Sequence, residues 1–186
     1  MSKPISLAIV TVALLFCSSA PGAPTLTLSP PNITGAAGAT VGWGFTLNND
    51  TSDYLLVDAS YFCQPAQDPQ FTTCTQAQGT YSDLIAADLT IVGPNGSLSE
   101  AYGLASGVGS YTILPTALPG AVDSGTLFLT YMEFNGDPLT GGTQVTGDIE
   151  ASATASVDVA AVVPEPAGLG LAAIGVLALI VRRRRQ

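Results

Sequence analysis

Apolar and polar residues alternate with a period of two along the middle of the chain. Val41, Trp43, Phe45 and Leu47 are separated by Gly42, Gly44 and Thr46, the spacing that a strand with one buried face requires. Ala151, Ala153, Ala155, Val157 and Val159 alternate even more strictly with Ser152, Thr154, Ser156 and Asp158. Tyr54 to Asp58, Leu89 to Val92, Tyr111 to Leu114 and Thr126 to Phe134 are further strand candidates. Both faces of the last are apolar, which suits a central strand. Asn48-Asn49-Asp50, Gly93-Pro94-Asn95-Gly96 and Asn135-Gly136-Asp137-Pro138 carry turn chemistry. No stretch between the two ends shows a convincing 3.6-residue period. The pattern predicts an all-β fold: one antiparallel, β-sandwich-like domain over residues 24–160, with Trp43 in its core.

The alternation gives way to apolar runs at both ends. Residues 1–23 have the three parts of a secretory signal: Lys3, an apolar run from Ile5 to Phe16 broken by Ser6 and Thr11, and small residues from Ser18 to Ala23. A cut after Ala20 or Ala23 would be followed by proline, so a cut after Gly22 is preferred. Cys17 follows bulky Phe16, a poor context for a lipidated cysteine. At the other end, residues 161–186 hold Val163-Pro164-Glu165-Pro166, the apolar run Ala167 to Val181, and Arg182, Arg183, Arg184 and Arg185. As a helix that run spans roughly 22 Å at about 1.5 Å per residue, short of the ~30 Å hydrocarbon core. Snorkelling arginines and local bilayer thinning make up part of the gap. The positive-inside rule keeps the arginines cytoplasmic and puts the body outside. Gly168, Ala172 and Gly175 form a small-residue stripe on this short transmembrane helix, which is either a docking face or ordinary small-residue content.

Charge sharpens the division. The five basic residues are Lys3 and Arg182 to Arg185, and the fourteen acids all lie between Asp50 and Glu165. A body carrying acids and no bases repels phosphate, which excludes nucleic-acid binding. Histidine is absent, which removes the commonest acid–base group near neutral pH and the commonest transition-metal ligand. Hydrophobic residues make up 47% of the chain, too many for a disordered polyelectrolyte.

With Pro164-Glu165-Pro166, the apolar run and the arginine cluster in that order, the tail resembles the PEP-CTERM sorting signal of Gram-negative bacteria. The resemblance implies recognition by exosortase, an integral-membrane cysteine protease, after export by the general secretion machinery. It further implies transient anchoring in the membrane through the C-terminal helix, then transfer to the cell surface or extracellular matrix. Genomes with this system tend to encode exopolysaccharide production, which makes exopolysaccharide an expected partner. The strand Val41-Gly42-Trp43-Gly44-Phe45 leading into Asn48 to Asp53 also resembles the extracytoplasmic domain of other PEP-CTERM proteins, a resemblance that brings no activity with it. Leu114-Pro115-Thr116 and Leu118-Pro119-Gly120 miss the sortase pattern and lie far from the tail.

Loss of Cys17 with the signal leaves Cys63 and Cys74, an even pair in an oxidising compartment and so a candidate disulfide. Closing so short a loop stabilises by about 3 kcal/mol in the chain-entropy model. A metal or catalytic thiol is the alternative, with no histidine to support it. No Gly-x-Ser-x-Gly elbow, histidine triad or phosphate loop is present. Asp50 with Asp53, and Glu133 with Asp137, sit in acid-rich turns that could offer oxygens to Ca²⁺ but match no EF-hand loop. Asn32-Ile33-Thr34, Asn49-Asp50-Thr51 and Asn95-Gly96-Ser97 match a glycosylation sequon by coincidence in a bacterial chain. The expectation is a non-enzymatic structural or adhesive surface protein with no cofactor and no metal. The alternative is a secreted carboxylate-dependent polysaccharide hydrolase, which paired acids could run without histidine, or a carbohydrate-binding module.

Overall fold

The Val41 to Leu47 alternation becomes a nine-residue strand, β3 (Thr40–Asn48), whose Trp43, Phe45 and Leu47 are fully or almost fully buried. The computed structural model describes residues 22–69, 73–85 and 90–161. The other strands, in chain order, are β1 (Thr25–Ser29), β2 (Asn32–Gly35), β4 (Tyr54–Cys63), β5 (Gly79–Asp83), β6 (Thr90–Val92), β7 (Ser97–Glu100), β8 (Gly109–Ile113), β9 (Val122–Asn135), β10 (Thr143–Gln144) and β11 (Ile149–Val159). A single 3-10 turn at Pro138–Thr140 is the only helical element among the described residues.

These strands make two sheets. One has the order β1-β3-β8-β5, with β7 pairing a different stretch of β3; the other has the order β2-β11-β9-β4-β6, with β10 on β9. The inward side chains of both form one apolar cluster, including Trp43, Phe62, Tyr111, Leu127, Leu129 and Val157. The sandwich-like, all-β expectation therefore holds. Its antiparallel character holds with one exception: β2 runs parallel to β11, with Ile33 opposite Val157. A Pro30–Pro31 corner between β1 and β2 moves the chain from one sheet to the other, and there the free edge of β11 is met in the parallel sense.

Β9, apolar on both faces in sequence, is central, flanked by β11 and β4. β4 extends five residues beyond the expected Asp58, because a bulge between Val57 and Ala59 shifts the register. The bulge turns Ser60 and Phe62 inward where unbroken alternation would turn them out. The strand expected from Leu89 begins at Thr90, and Leu89 itself lies outside the described residues.

Candidate functional site

The second half of β4 is an uncovered edge. β6 pairs only with Leu55, Leu56 and Val57, so Ser60 to Cys63 have no strand on that side among the described residues. β5 is the last strand of the opposite sheet. Two edges therefore face each other, and side chains take the place of a strand between them. Ser60 donates its backbone N–H to Asp83 Oδ2 at 3.1 Å and its hydroxyl to Asp83 Oδ1 at 2.6 Å. The same hydroxyl lies 2.7 Å from both the Tyr81 hydroxyl and the Val108 carbonyl. Gln76 donates from Nε2 to the Phe62 carbonyl at 2.7 Å and accepts from the Tyr81 amide at 3.4 Å. Its carboxamide thus stands in for a peptide group between the sheets, bridging the Phe62 carbonyl of one edge and the Tyr81 amide of the other.

A groove of about 710 Å³ opens over this junction, lined chiefly by Tyr61, Thr73, Gln76, Thr80, Tyr81 and Asp83. Behind it lies an aromatic cluster drawn from both sheets: Trp43 meets Phe62 at 5.3 Å and Tyr111 edge-on at 6.4 Å between ring centroids. Tyr81 packs 6.2 Å from Trp43, and its hydroxyl fills the place where any side chain on Gly109 would begin. Burial pushes the Tyr81 phenol well above its ordinary range; the Ser60 hydrogen bond opposes this and the Asp83 charge adds to it. Tyr81 is therefore a neutral hydroxyl at any physiological pH. Tyr61, 40% exposed, offers a ring face at the rim.

The third wall is the segment from Gln64 to Gln78, which two devices hold. Cys63 and Cys74 are disulfide-bonded, with Cα atoms 4.7 Å apart, as the sequence predicts. Asp123, 2% exposed, anchors the segment from beneath: it accepts from Gln64 Nε2 at 3.2 Å, from the Gln78 amide at 2.8 Å and from the Tyr111 hydroxyl. Three neutral donors thus satisfy a buried carboxylate in a domain that has no basic side chain. Burial, and then the Asp123 hydrogen bond and charge, drive the Tyr111 phenol upward.

Chemically, the groove combines hydroxyls, one carboxamide, one carboxylate and an aromatic face. Asp83 is the one carboxylate among its described lining residues. It already accepts from Ser60 twice and from the Ile85 amide at 2.8 Å, leaving room for about one further hydrogen bond. Such a set suits an uncharged polyhydroxyl ligand.

None of the groove residues except Cys74 stood out in the sequence, because they come from separate edge segments. The Gln64, Gln67, Gln76 and Gln78 series was the available signal. The acid-rich turns fall elsewhere. Asp137 caps the 3-10 turn by accepting from the Leu139 amide at 2.9 Å, and Asp50 and Asp53 flank a turn organised by Asn49. Among the described residues no group of three or more His, Cys, Asp or Glu is placed to hold a metal ion. Residues 1–21 of the signal segment with Cys17, Pro164, Glu165, Pro166, the apolar run with its small-residue stripe, and Arg182 to Arg185 lie outside the described residues. They are met by comparison instead. Residues 162–185 match the family model for the PEP-CTERM protein-sorting motif. No curated protein matches the chain. The chain therefore carries a PEP-CTERM sorting motif, which supports an exported exosortase substrate sorted to the cell surface.

Proposed function

We propose that this is an exosortase-sorted envelope protein of a Gram-negative bacterium whose β-sandwich serves as a structural or adhesive element in the extracellular polysaccharide matrix. In this reading the signal segment starts export, the C-terminal helix anchors the precursor transiently, and processing hands the sandwich to the surface. The observation that carries the adhesive part is the groove, where Tyr61, Gln76, Thr80 and Asp83 present a ring face and neutral or acceptor groups. With no base between Lys3 and Arg182, the body repels acidic polymers, so the reading is restricted to uncharged glycans. Hydrolysis is the weaker reading, since two-carboxylate glycosidases need a second acid facing the first across the scissile bond. Among the described residues lining the groove Asp83 has none.

The test is to incubate the exported mature protein, and its Tyr61→Ala variant, with neutral and acidic polysaccharides. Binding to a neutral polymer that Tyr61→Ala loses, without release of reducing ends, is the expected result. Release of reducing ends that Asp83→Asn abolishes would replace adhesion with hydrolysis. Absence of binding to every neutral polymer would reject the adhesive role.

A further inference from the structure

The end of the sandwich from which the tail leaves differs in chemistry from the opposite end. The β9–β11 register places Val122 and Asp158 at the tail end and Tyr131 and Ile149 toward the other, with Asn135 beyond. At ~3.3 Å per residue, β9 separates the two ends by about 43 Å. Asp50, Asp53, Asp137 and Asp148 all lie in turns at the far end. At the tail end the turn from Gly35 to Ala39 and the loop from Leu114 to Val122 contain no charged residue. Asp123 there is buried and hydrogen-bonded, and Asp158 is partly exposed, as is Asp68 in the Gln64–Gln78 segment that Asp123 anchors.

The loop itself is a tandem of two four-residue turns, Leu114-Pro115-Thr116-Ala117 and Leu118-Pro119-Gly120-Ala121. Each is closed from its fourth amide to its first carbonyl at 3.0 Å. Proline presets the second position of both, and Gly120, at φ +82°, supplies the left-handed third position of the second. The pair is stitched to the last residue of β11, since Gly120 N–H donates to the Val159 carbonyl and Val159 N–H to the Ala121 carbonyl, both at 2.9 Å. Ala117 is the buried peg, and Leu114, Leu118 and Val122 are held outward at 41%, 72% and 52% exposure. Rigid, uncharged and apolar at its tip, this loop stands beside the exit of the tail.

Chain length places that exit at the bilayer. Ala160 still donates to the Gly35 carbonyl at 2.7 Å, and the apolar run begins at Ala167. The connection can therefore reach at most about 23 Å. We propose that the paired turns are a lipid contact: while the tail is inserted, Leu114, Leu118 and Val122 enter the interfacial layer of the membrane and seat the sandwich upright. The inference rests on the reading of the tail as membrane-inserted before processing. Charge agrees with it, because anionic headgroups repel acids, and these two tail-end turns carry none while Asp50, Asp53, Asp137 and Asp148 lie at the far end. Apolar tips that lie in the interface gain from burial of their side chains there.

The precursor's single tryptophan, Trp43, is buried, so Leu118→Trp adds one reporting indole, and Leu139→Trp, at a site 82% exposed at the far end, is its control. Each full-length precursor is reconstituted into phosphatidylethanolamine–phosphatidylglycerol vesicles brominated near the top of the acyl chains. The expected result is a blue shift and severalfold stronger quenching for Leu118→Trp than for Leu139→Trp. Equal, weak quenching of both in precursor that floats with the vesicles overturns the contact and leaves the tail reading intact. Precursor that fails to float overturns both. A blue shift without response to bromine also overturns the lipid contact, in favour of contact between copies.

Discussion

The side-chain carbonyl of Asn49 accepts hydrogen bonds from both the amide and the hydroxyl of Thr51, at 3.0 and 2.7 Å. Asn49 is fully buried, so this sequon-like triplet is a structural clamp and its amide nitrogen is closed to modification. That nitrogen donates to the carbonyls of Asp53, Val92 and Gly93 at 2.8 to 3.2 Å. One side chain thereby ties the β3–β4 turn to the β6–β7 turn at the end remote from the tail.

Asn49→Ala should cost about 3 kcal/mol, since it removes several hydrogen bonds and leaves three carbonyls and the Thr51 hydroxyl to find new partners. Asn49→Asp should cost more, because it aims a carboxylate at the three carbonyls. Urea unfolding of the mature protein measures both; a loss under 1 kcal/mol for each would show that the clamp is dispensable.

Alkali should unfold the domain steeply. Burial, and then the Glu133 charge, push the Tyr131 phenol up to about 12, and Tyr81 and Tyr111 lie higher still. Unfolded tyrosines ionise near 10. Between those values the unfolded state binds fewer protons than the folded one, so stability is present below pH 10 and lost as pH rises. Each tyrosine contributes about 1.4 kcal/mol per pH unit, or about 4 kcal/mol for three. A 295 nm titration should show these three ionising together with loss of the β-sheet circular dichroism. Independent, gradual ionisation with the fold intact would contradict the burial argument.

Glu150 acts in the same sense in the acid range. Burial, and then the Asp68 carboxylate, raise its pKa above the ordinary glutamate value, and its Oε1 has no hydrogen-bond partner among the described residues. The folded state therefore binds this proton more tightly than the unfolded one. Its contribution falls as pH rises from the unfolded value through the folded one. Glu150→Gln should raise the melting temperature at pH 7 and have less effect at pH 4. A lower melting temperature at neutral pH would count against it.

What the sequence disclosed depended on whether one face of a strand was buried over its whole length. β3 and β11 were legible because Trp43, Phe45 and Leu47, and Ala151, Ala155 and Val157, face one core without interruption. β4 was legible only to its bulge, where parity flips and Ser60 and Phe62 take over the buried face. β1, β2, β5 and β7 have five residues or fewer and include edge strands, too short to establish a period. The disulfide was legible from counting, whereas the groove was not. Ser60, Gln76 and Asp83 are brought together by two edges whose approach has no local signature, and the parallel β2–β11 pairing is non-local in the same way.

The disulfide should matter more to the groove than to the core. Cys74 lines the groove beside Thr73 and Gln76, whereas Trp43 and Tyr111 lie in β3 and β8, which pair with each other and hold neither cysteine. A Cys63→Ala/Cys74→Ala double variant should lose about 3 kcal/mol of stability and keep its β-sheet spectrum. Gln76→Ala should act more locally, uncapping the Phe62 carbonyl and the Tyr81 amide. Hydrogen exchange should then quicken at Tyr81 and leave Trp43 protected. Uniform acceleration across both sheets would show that the groove and the core open as one unit.

Processing of the tail follows from how little chain separates it from the folded body. The Ala160–Gly35 hydrogen bond leaves residues 161–163 between the sandwich and Pro164, so an enzyme working in the membrane must engage the motif directly beneath a folded domain. A fifteen-residue apolar run is short for a permanent anchor, which agrees with the proposed removal of the segment. Replacing Pro164, Glu165 and Pro166 by alanine should leave export and the Cys63–Cys74 bond intact, while full-length precursor accumulates in the inner membrane. Deleting residues 161–163 should do the same with the motif untouched, because the body then blocks access. Replacing Arg182 to Arg185 should weaken membrane retention and let precursor misorient. The measurement is the C-terminal peptide of protein recovered from the cell surface, by mass spectrometry, in a strain with active exosortase. Arg182 to Gln186 should be missing from it; their presence on most surface molecules would make the tail a permanent anchor.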